Sequence, residues 1–453
     1  MRPMYEMLSA ASGRGSFHMP GHKGRAPFGP VDFYQLDTTE LPVTDDLYAP
    51  ENGILQAEKL YAQAAGAAET LFLHNGSTSG IHVMLQLWAA EGDTVLLPRN
   101  AHMSAVNGCI MGGMKVRWIP VTQREDGYCY IREEDVLAAL ERHPEAKTLL
   151  LTRPDFYGCC LQMERIVRTA HALGVKVVVD EAHGAHLPWM QGVQSAGALG
   201  ADAWVQSVHK TLPGLTGAAV LHLQNRADRS RAMRLLRREQ TSSPSFVMLM
   251  SIDDARAAME ENGREELRRI AARANEIRAL LPSLGYGDGH EAWQELGLDF
   301  DPTRLVIAAP QGGAALADAL QAHGMDVEMH DHRRAVLILS AQDTDEDFAS
   351  LADALRDIPA VPAELPALPP SYALPERAME VRGAVMARCE EVPVQEAAGR
   401  VAAVPAGLYP PGIPLVCPGE IISEEMVNLL DSAGPQQRFG LEGDCLLCVS
   451  KNV

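Results

Sequence analysis

No stretch of this sequence is long and apolar enough to cross a membrane, and the N-terminal M-R-P-M-Y-E-M-L-S-A lacks the apolar core of a signal peptide. Positive charge is scarce: 39 Lys and Arg stand against 59 Asp and Glu, a formal net charge of −20. A nucleic acid or an anionic membrane surface would be repelled, so neither is expected as a partner, whereas a cationic small molecule is compatible. Cysteine is sparse, with 8 residues scattered along the chain, and the adjacent Cys159 and Cys160 suit a disulfide framework poorly. A reducing, cytoplasmic setting is therefore expected. Cys445 and Cys448 have zinc or redox spacing, yet no second pair accompanies them. Two thiols in a terminal strand or turn is the simpler reading, and no metal is expected. Internal repeats and heptads are missing as well.

At 453 residues the chain is too long for one small core, and two or three domains are expected. Residues 1–50 are rich in Gly, Pro and His and poor in periodicity, and read as an arm, either functional or a solvated tail. Residues 51–295 alternate short apolar runs with helical patterns. A helix over 53–65 is followed by L-F-L, a G-S-T-S turn and a helix. D-T-V-L-L-P, K-V-R-W-I-P-V, a helix over 133–142, T-L-L-L-T, a helix over 166–173, the Val-rich run ending at Asp180, A-W-V-Q-S-V and A-A-V-L-H-L continue the pattern. Strands spaced by helices imply βαβ units, hence an α/β fold with a mostly parallel, doubly wound sheet. Two helices, over 246–259 and 261–281, lead to a smaller α/β unit at 296–358, read as β-α-β-β with M-D-V-E-M-H as one strand. A proline-rich linker spans 359–370, and a C-terminal unit spans 371–453.

The chemistry-bearing residues gather at strand ends. Val177, Val178 and Val179 read as a strand buried on both faces, and it ends in Asp180, where α/β sheets keep ligand groups. A second apolar run ends in Ser207, His209 and Lys210. An acid and a lysine so placed fit pyridoxal 5′-phosphate chemistry, the lysine holding the cofactor covalently and the aspartate keeping the pyridine nitrogen protonated. Taken alone, they fit a turn-capping Asp and a surface Lys better. Ser77, Thr78 and Ser79 at a helix start make either a phosphate site or a plain N-cap. His102, just past a strand end, either stacks on a flat ring or is a loop residue. Ser77–Ser79, His102, Thr152, Asp180, His183 and Lys210 all fall at strand ends or helix starts, and that convergence points to one site.

The motifs D-E-A-H-G-A-H, S-V-H-K-T-L-P-G-L-T-G, S-F-H-M-P-G-H-K-G, D-T-T-E-L-P-V-T-D-D-L-Y and Y-P-P-G-I-P together resemble the Orn/Lys/Arg decarboxylase family from about Gly15 to Glu420, in its short form without an N-terminal wing domain. The resemblance implies a fold-type-I pyridoxal-phosphate enzyme that turns a basic amino acid into agmatine or a diamine in polyamine metabolism. It implies that Lys210 carries the cofactor, Asp180 pairs with its ring nitrogen, and His183 and His102 lie by the ring. Ser77, Thr78, Ser79, Ser207 and His209 would contact the phosphate or ring. It implies further that the arm helps build the active site at a homodimer interface, which would give His18, His22, Lys23, Asp45 and Asp46 a purpose. Tyr48, Met103, Phe156 and Gly217 depart from the family's pattern and leave the choice among arginine, lysine and ornithine open.

Each of those substrates ends in a cation, for which Asp45, Asp46 and Glu420 are the candidate partners, though all three suit turns and caps as well. A carboxylate pair matches guanidinium better than ammonium, which favours arginine, then lysine. Another fold-type-I enzyme, an aminotransferase or aldolase, would use the same Asp–Lys pair. A non-catalytic partner subunit or regulator is the third possibility.

Overall fold

The structure, a computed structural model, describes all residues except 1–14, 19, 24, 26, 30–32, 42–43, 366–371, 410–411 and 452–453. Parts of the expected arm, residues 366–370 of the linker and the central prolines of Y-P-P-G-I-P thus lie outside the described residues. The chain divides into two compact units: residues 1–80, 153–161 and 179–365, and residues 81–152, 162–178 and 366–453.

Strands β1 (Glu69–Leu73), β2 (Thr94–Pro98), β3 (Lys115–Ile119), β4 (Thr148–Thr152), β5 (Lys176–Asp180), β6 (Ala203–Gln206) and β7 (Ala219–Leu223) form one sheet in the order β1-β7-β6-β5-β4-β2-β3. β2 runs parallel to β3 and β4, while β7 runs antiparallel to β1 and β6. The expected mixed α/β fold with a mostly parallel sheet is found. Its central strands are mostly apolar, with Val177, Val178 and Val179 fully buried, because both faces are covered. The reversal at β7 has a local cause. Residues 207–218 join β6 to β7 and hold only the single helical turn Val208–Thr211, too little for the crossover that a parallel return requires.

In the first unit, β8 (Gly287–Asp288), β9 (Arg304–Ala308), β10 (Met329–His330) and β11 (Arg334–Ile338) form a second sheet in the order β8-β9-β11-β10. Leu305, Ile307 and Leu337 of this sheet pack with Ile270, Leu316 and Leu351 from the helices beside it. Phe17, 1% exposed, joins the same cluster, since Gly15–Phe17 pairs parallel with Met325–Val327. M-D-V-E-M-H, expected as one strand, is therefore two short ones, the first pairing with the arm and the second with β11. The boundary expected near residue 260 is a π-helical turn, Met259–Gly263, linking helices Phe246–Ala258 and Arg264–Leu280.

The C-terminal part of the second unit has two three-stranded sheets and helix Glu424–Ser432 around a core that includes Val394, Leu415, Ile422, Leu430 and Leu446. Cys445 and Cys448 share strand Cys445–Val449, and three residues apart they point to opposite faces. None of the eight cysteines forms a disulfide, and among the described residues no group of three or more His, Cys, Asp or Glu is placed to hold a metal. Among the described residues no helix is long and apolar enough to cross a membrane.

Candidate active site

Lys210 sits in the helical turn Val208–Thr211 that follows β6. Its Nζ lies 3.1 Å from Nε2 of His183, which comes from the loop after the adjacent strand β5. Burial lowers the pKa of the amine, Asp180 and Glu328 pull it back up, and Arg304 lowers it further. Asp180, at the end of β5, is buried, and one carboxylate oxygen accepts from Ala182 N at 3.1 Å. On its far side the His183 ring meets that of Phe156, with centroids 4.6 Å apart. Phe156, one of the departures noted in the sequence, thus supplies an apolar wall where a hydroxylated ring was expected.

Ser207 Oγ donates to Ser77 Oγ at 2.9 Å, so the hydroxyls that end β6 and open helix Gly76–Trp88 meet. The helix can start close against the sheet because Gly80 has no side chain; a Cβ there would lie 2.6 Å from Val205 Cγ2. Gly76, at φ +70°, donates to Gly217 O at 2.9 Å. The other two hydroxyls of the run do not converge with this pair. Ser79 Oγ turns back onto Gly76 O at 2.9 Å, and Thr78 is exposed. His209 places Nδ1 2.9 Å from Ala218 O; burial lowers its pKa, and the bond to Ala218 opposes the shift.

The remaining candidates have partners of their own. His102 belongs to the second unit and caps helix Met103–Gly112, its Nδ1 accepting from Ser104 N at 3.2 Å. Thr152, at the end of β4 in that unit, has a buried hydroxyl without a hydrogen-bond partner among the described residues. Asp45 accepts from the backbone N–H of Asp46, Glu51, Asn52 and Ile54, each at 3.0 Å, and these bonds outweigh burial to lower its pKa. Asp46 accepts from Tyr48 N at 2.8 Å. Glu420 is buried and grips Arg99 bidentately, 2.7 Å on each oxygen, while Cys417 N adds a third bond. Asp45 and Asp46 thus bond as turn and cap residues, and Glu420 as half of a buried ion pair.

Two groups escaped the sequence reading. Glu181, next to Asp180, is fully buried and takes 2.7 Å bonds from Ser195 Oγ, Ala196 N and Gln206 Nε2. Gln206 continues to His222 at 3.0 Å and His222 to Thr70 at 2.8 Å, a polar chain through β5, β6, β7 and β1. Arg304, at the head of β9, is buried as well. The residue D-E pair could have signalled Glu181; nothing in T-R-L-V distinguishes Arg304 from a surface arginine.

A lysine in the turn after β6, an aspartate ending β5 and a mostly parallel sheet closed by one antiparallel strand define the fold-type-I architecture of pyridoxal-phosphate-dependent enzymes. Within that class the chain belongs to the Orn/Lys/Arg decarboxylase family and is a decarboxylase of basic amino acids: the model of the family's major domain matches residues 2–343 and that of its C-terminal domain residues 366–437. It is 32% identical to the arginine decarboxylase of Bacillus subtilis (strain 168), covering 94% of this chain and 92% of that protein. Against the arginine decarboxylase of Halalkalibacterium halodurans the figures are 31%, 90% and 88%. Among solved structures, lysine decarboxylase A from Pseudomonas aeruginosa superposes with a TM-score of 0.76 at 20% identity, covering 92% of this chain and 74% of that one. The constitutive lysine decarboxylase of E. coli gives 0.74 at 19%, covering 88% and 73%, and both likenesses bear on the fold.

Proposed function

We propose that this chain decarboxylates arginine to agmatine with pyridoxal 5′-phosphate held on Lys210. The observation that carries the reading is the half-buried Lys210 amine, 3.1 Å from His183 and within the field of Asp180. The residues suit the cofactor's chemistry. An amine of lowered pKa is a nucleophile for an aldehyde. The carboxylate of Asp180 is a partner for a protonated pyridine nitrogen. The paired hydroxyls of Ser77 and Ser207, with the N–H groups that open helix 76–88, suit a phosphate. Arginine is preferred because the arginine decarboxylases of Bacillus subtilis and Halalkalibacterium halodurans are 32% and 31% identical over most of the chain.

When bound, the cofactor supplies an electron sink for the pair left at Cα as CO₂ departs. The protein's part is positional and protonic. Asp180 would pair with the ring nitrogen, Ser77 and Ser207 would anchor the phosphate, and Lys210 with His183 would hold the proton returned to Cα. Asp45 is taken up by its four backbone bonds and Glu420 by its buried ion pair with Arg99, so Asp46 is the carboxylate we retain for the substrate's distal cation. His209, on the same turn as Lys210, completes the proposed cofactor surroundings. A homodimer with the arm at its interface, a cytoplasmic location and a role in polyamine metabolism belong to the same proposal.

Purified protein incubated separately with arginine, lysine and ornithine, with and without cofactor, tests the reading. CO₂ and agmatine should form from arginine in equal amounts and only with cofactor. Faster turnover of lysine or ornithine would transfer the assignment to that substrate, and a keto acid product would mark a transaminase.

A further inference from the structure

Arg304 opens β9 with its side chain 1% exposed, and its Nε, Nη1 and Nη2 have no hydrogen-bond acceptor among the described residues. Asp301 Oδ2 stands 3.9 Å from Nη2, close enough to balance charge and too far to accept a hydrogen bond. That oxygen faces His186 Nε2 at 3.1 Å, and the other accepts from Thr303 N and Oγ1. A guanidinium fork buried with its donors unmet is costly, and an anion that arrives with a ligand removes the cost.

Two independent sets of contacts place Arg304 beside Lys210. Arg304 lies directly across the sheet from Ile338, whose carbonyl accepts from Lys23 Nζ at 2.9 Å. Two residues before Lys23, Gly21 N donates to His209 O at 2.7 Å, and a Cβ at Gly21 would lie 2.8 Å from Leu212 O. The arm is thus threaded between the head of β9 and the lysine-bearing turn. From the other direction, the Arg304 stem packs on Gly158, where a Cβ would come within 2.6 Å of Arg304 Cβ. Phe156, two residues earlier, packs its ring at a tilt against His183, which touches Lys210. The Arg304 charge is felt at both Lys210 and Lys23, where it lowers the amine pKa.

We propose that Arg304 takes the α-carboxylate of the amino-acid substrate with its guanidinium fork. The inference rests on the decarboxylase reading above. That reaction brings two anions, and the hydroxyl and N–H cradle at Ser77 and Ser207 suits the phosphate. A planar fork suits a carboxylate. In the reaction the bond from Cα to the carboxylate breaks, the electron pair stays at Cα, which takes up a proton, and neutral CO₂ leaves. Arg304 therefore loses its partner as the bond breaks, and it serves recognition and alignment rather than stabilisation of developing charge.

The test compares arginine, argininamide and agmatine on the cofactor-loaded wild type, Arg304→Lys and Arg304→Met, with thermal unfolding as a check of the fold. KM is measured for the acid and inhibition constants for the other two; a variant that no longer turns over is titrated by calorimetry. Wild type should prefer arginine over argininamide by about tenfold or more, Arg304→Met should abolish the preference, and agmatine should change by less than about threefold. A preference that survives in Arg304→Met, or a parallel weakening of all three ligands, overturns the assignment. Should Arg304→Met fail to fold, Arg304→Lys decides by the same ratio, which must fall, because the cation is kept and the fork lost. If wild type releases no CO₂ from arginine, lysine or ornithine, the functional reading fails, and the arginine-to-argininamide ratio measured by calorimetry still decides the role of Arg304.

Discussion

Lys210 Nζ and His183 Nε2 stand 3.1 Å apart because β6 and β5 are neighbours in the sheet and each releases its reactive residue at the same end. Burial, opposed by Asp180 and Glu328, leaves the Lys210 amine less basic than a surface lysine. Borohydride reduction of cofactor-treated protein followed by peptide mapping should place the pyridoxyl group on Lys210. Lys23, the other lysine whose pKa burial lowers, is the informative control, and a label there would end the assignment.

The Ser207–Ser77 hydrogen bond makes a second prediction. Ser77→Ala and Ser207→Ala should each weaken cofactor affinity by about tenfold, and the double variant by less than the product, because the two hydroxyls share one bond. Titration of the cofactor-free protein, followed by visible absorbance, measures both effects. Unchanged affinity in both single variants would put the phosphate elsewhere.

The large sheet was legible because strands covered on both faces betray themselves as unbroken apolar runs, as at Val177–Val179 and Leu149–Leu151. Asp180, Lys210, Ser77 and Ser207 were legible as strand-end and helix-start residues. Partners far apart in sequence were not. Nothing local to Glu420 announces Arg99, 321 residues away, and nothing local to M-D-V-E-M-H announces that Gly15–Phe17 splits it. Arg304 was illegible for the same reason: its burial depends on Gly158, Asp301 and the strand opposite.

Glu181 gives a pH signature. Burial, only partly offset by the bonds from Gln206, Ser195 and Ala196, raises its pKa from 4.5 to about 7. The folded form therefore holds this proton more tightly than the unfolded chain. The resulting stability is fully present below about pH 4.5 and is lost as pH rises through about 7. Relative to Glu181→Gln, the wild-type unfolding free energy should fall by about 3 kcal/mol between pH 4.5 and 7.5. Parallel pH profiles for the two proteins would show that Glu181 is ionised throughout.

The three distal carboxylates should separate by readout. Glu420→Ala leaves Arg99 buried without an anion and should cost about 3–5 kcal/mol of stability. Asp45→Ala should lower Tm by removing the acceptor that starts helix Gly53–Ala65. Asp46→Asn should instead raise KM for arginine several-fold while Tm holds. A wild-type kcat/KM in Asp46→Asn means that other groups read the substrate's cation.

The most direct test of the account is CO₂ release from carboxyl-labelled arginine by cofactor-loaded wild type, Lys210→Ala and Asp180→Asn, each confirmed folded. Wild type should release one CO₂ per agmatine formed. Asp180→Asn should fall by about two to three orders of magnitude and Lys210→Ala at least as far. Release that continues near the wild-type rate in either variant, or no release from arginine by wild type, would contradict it.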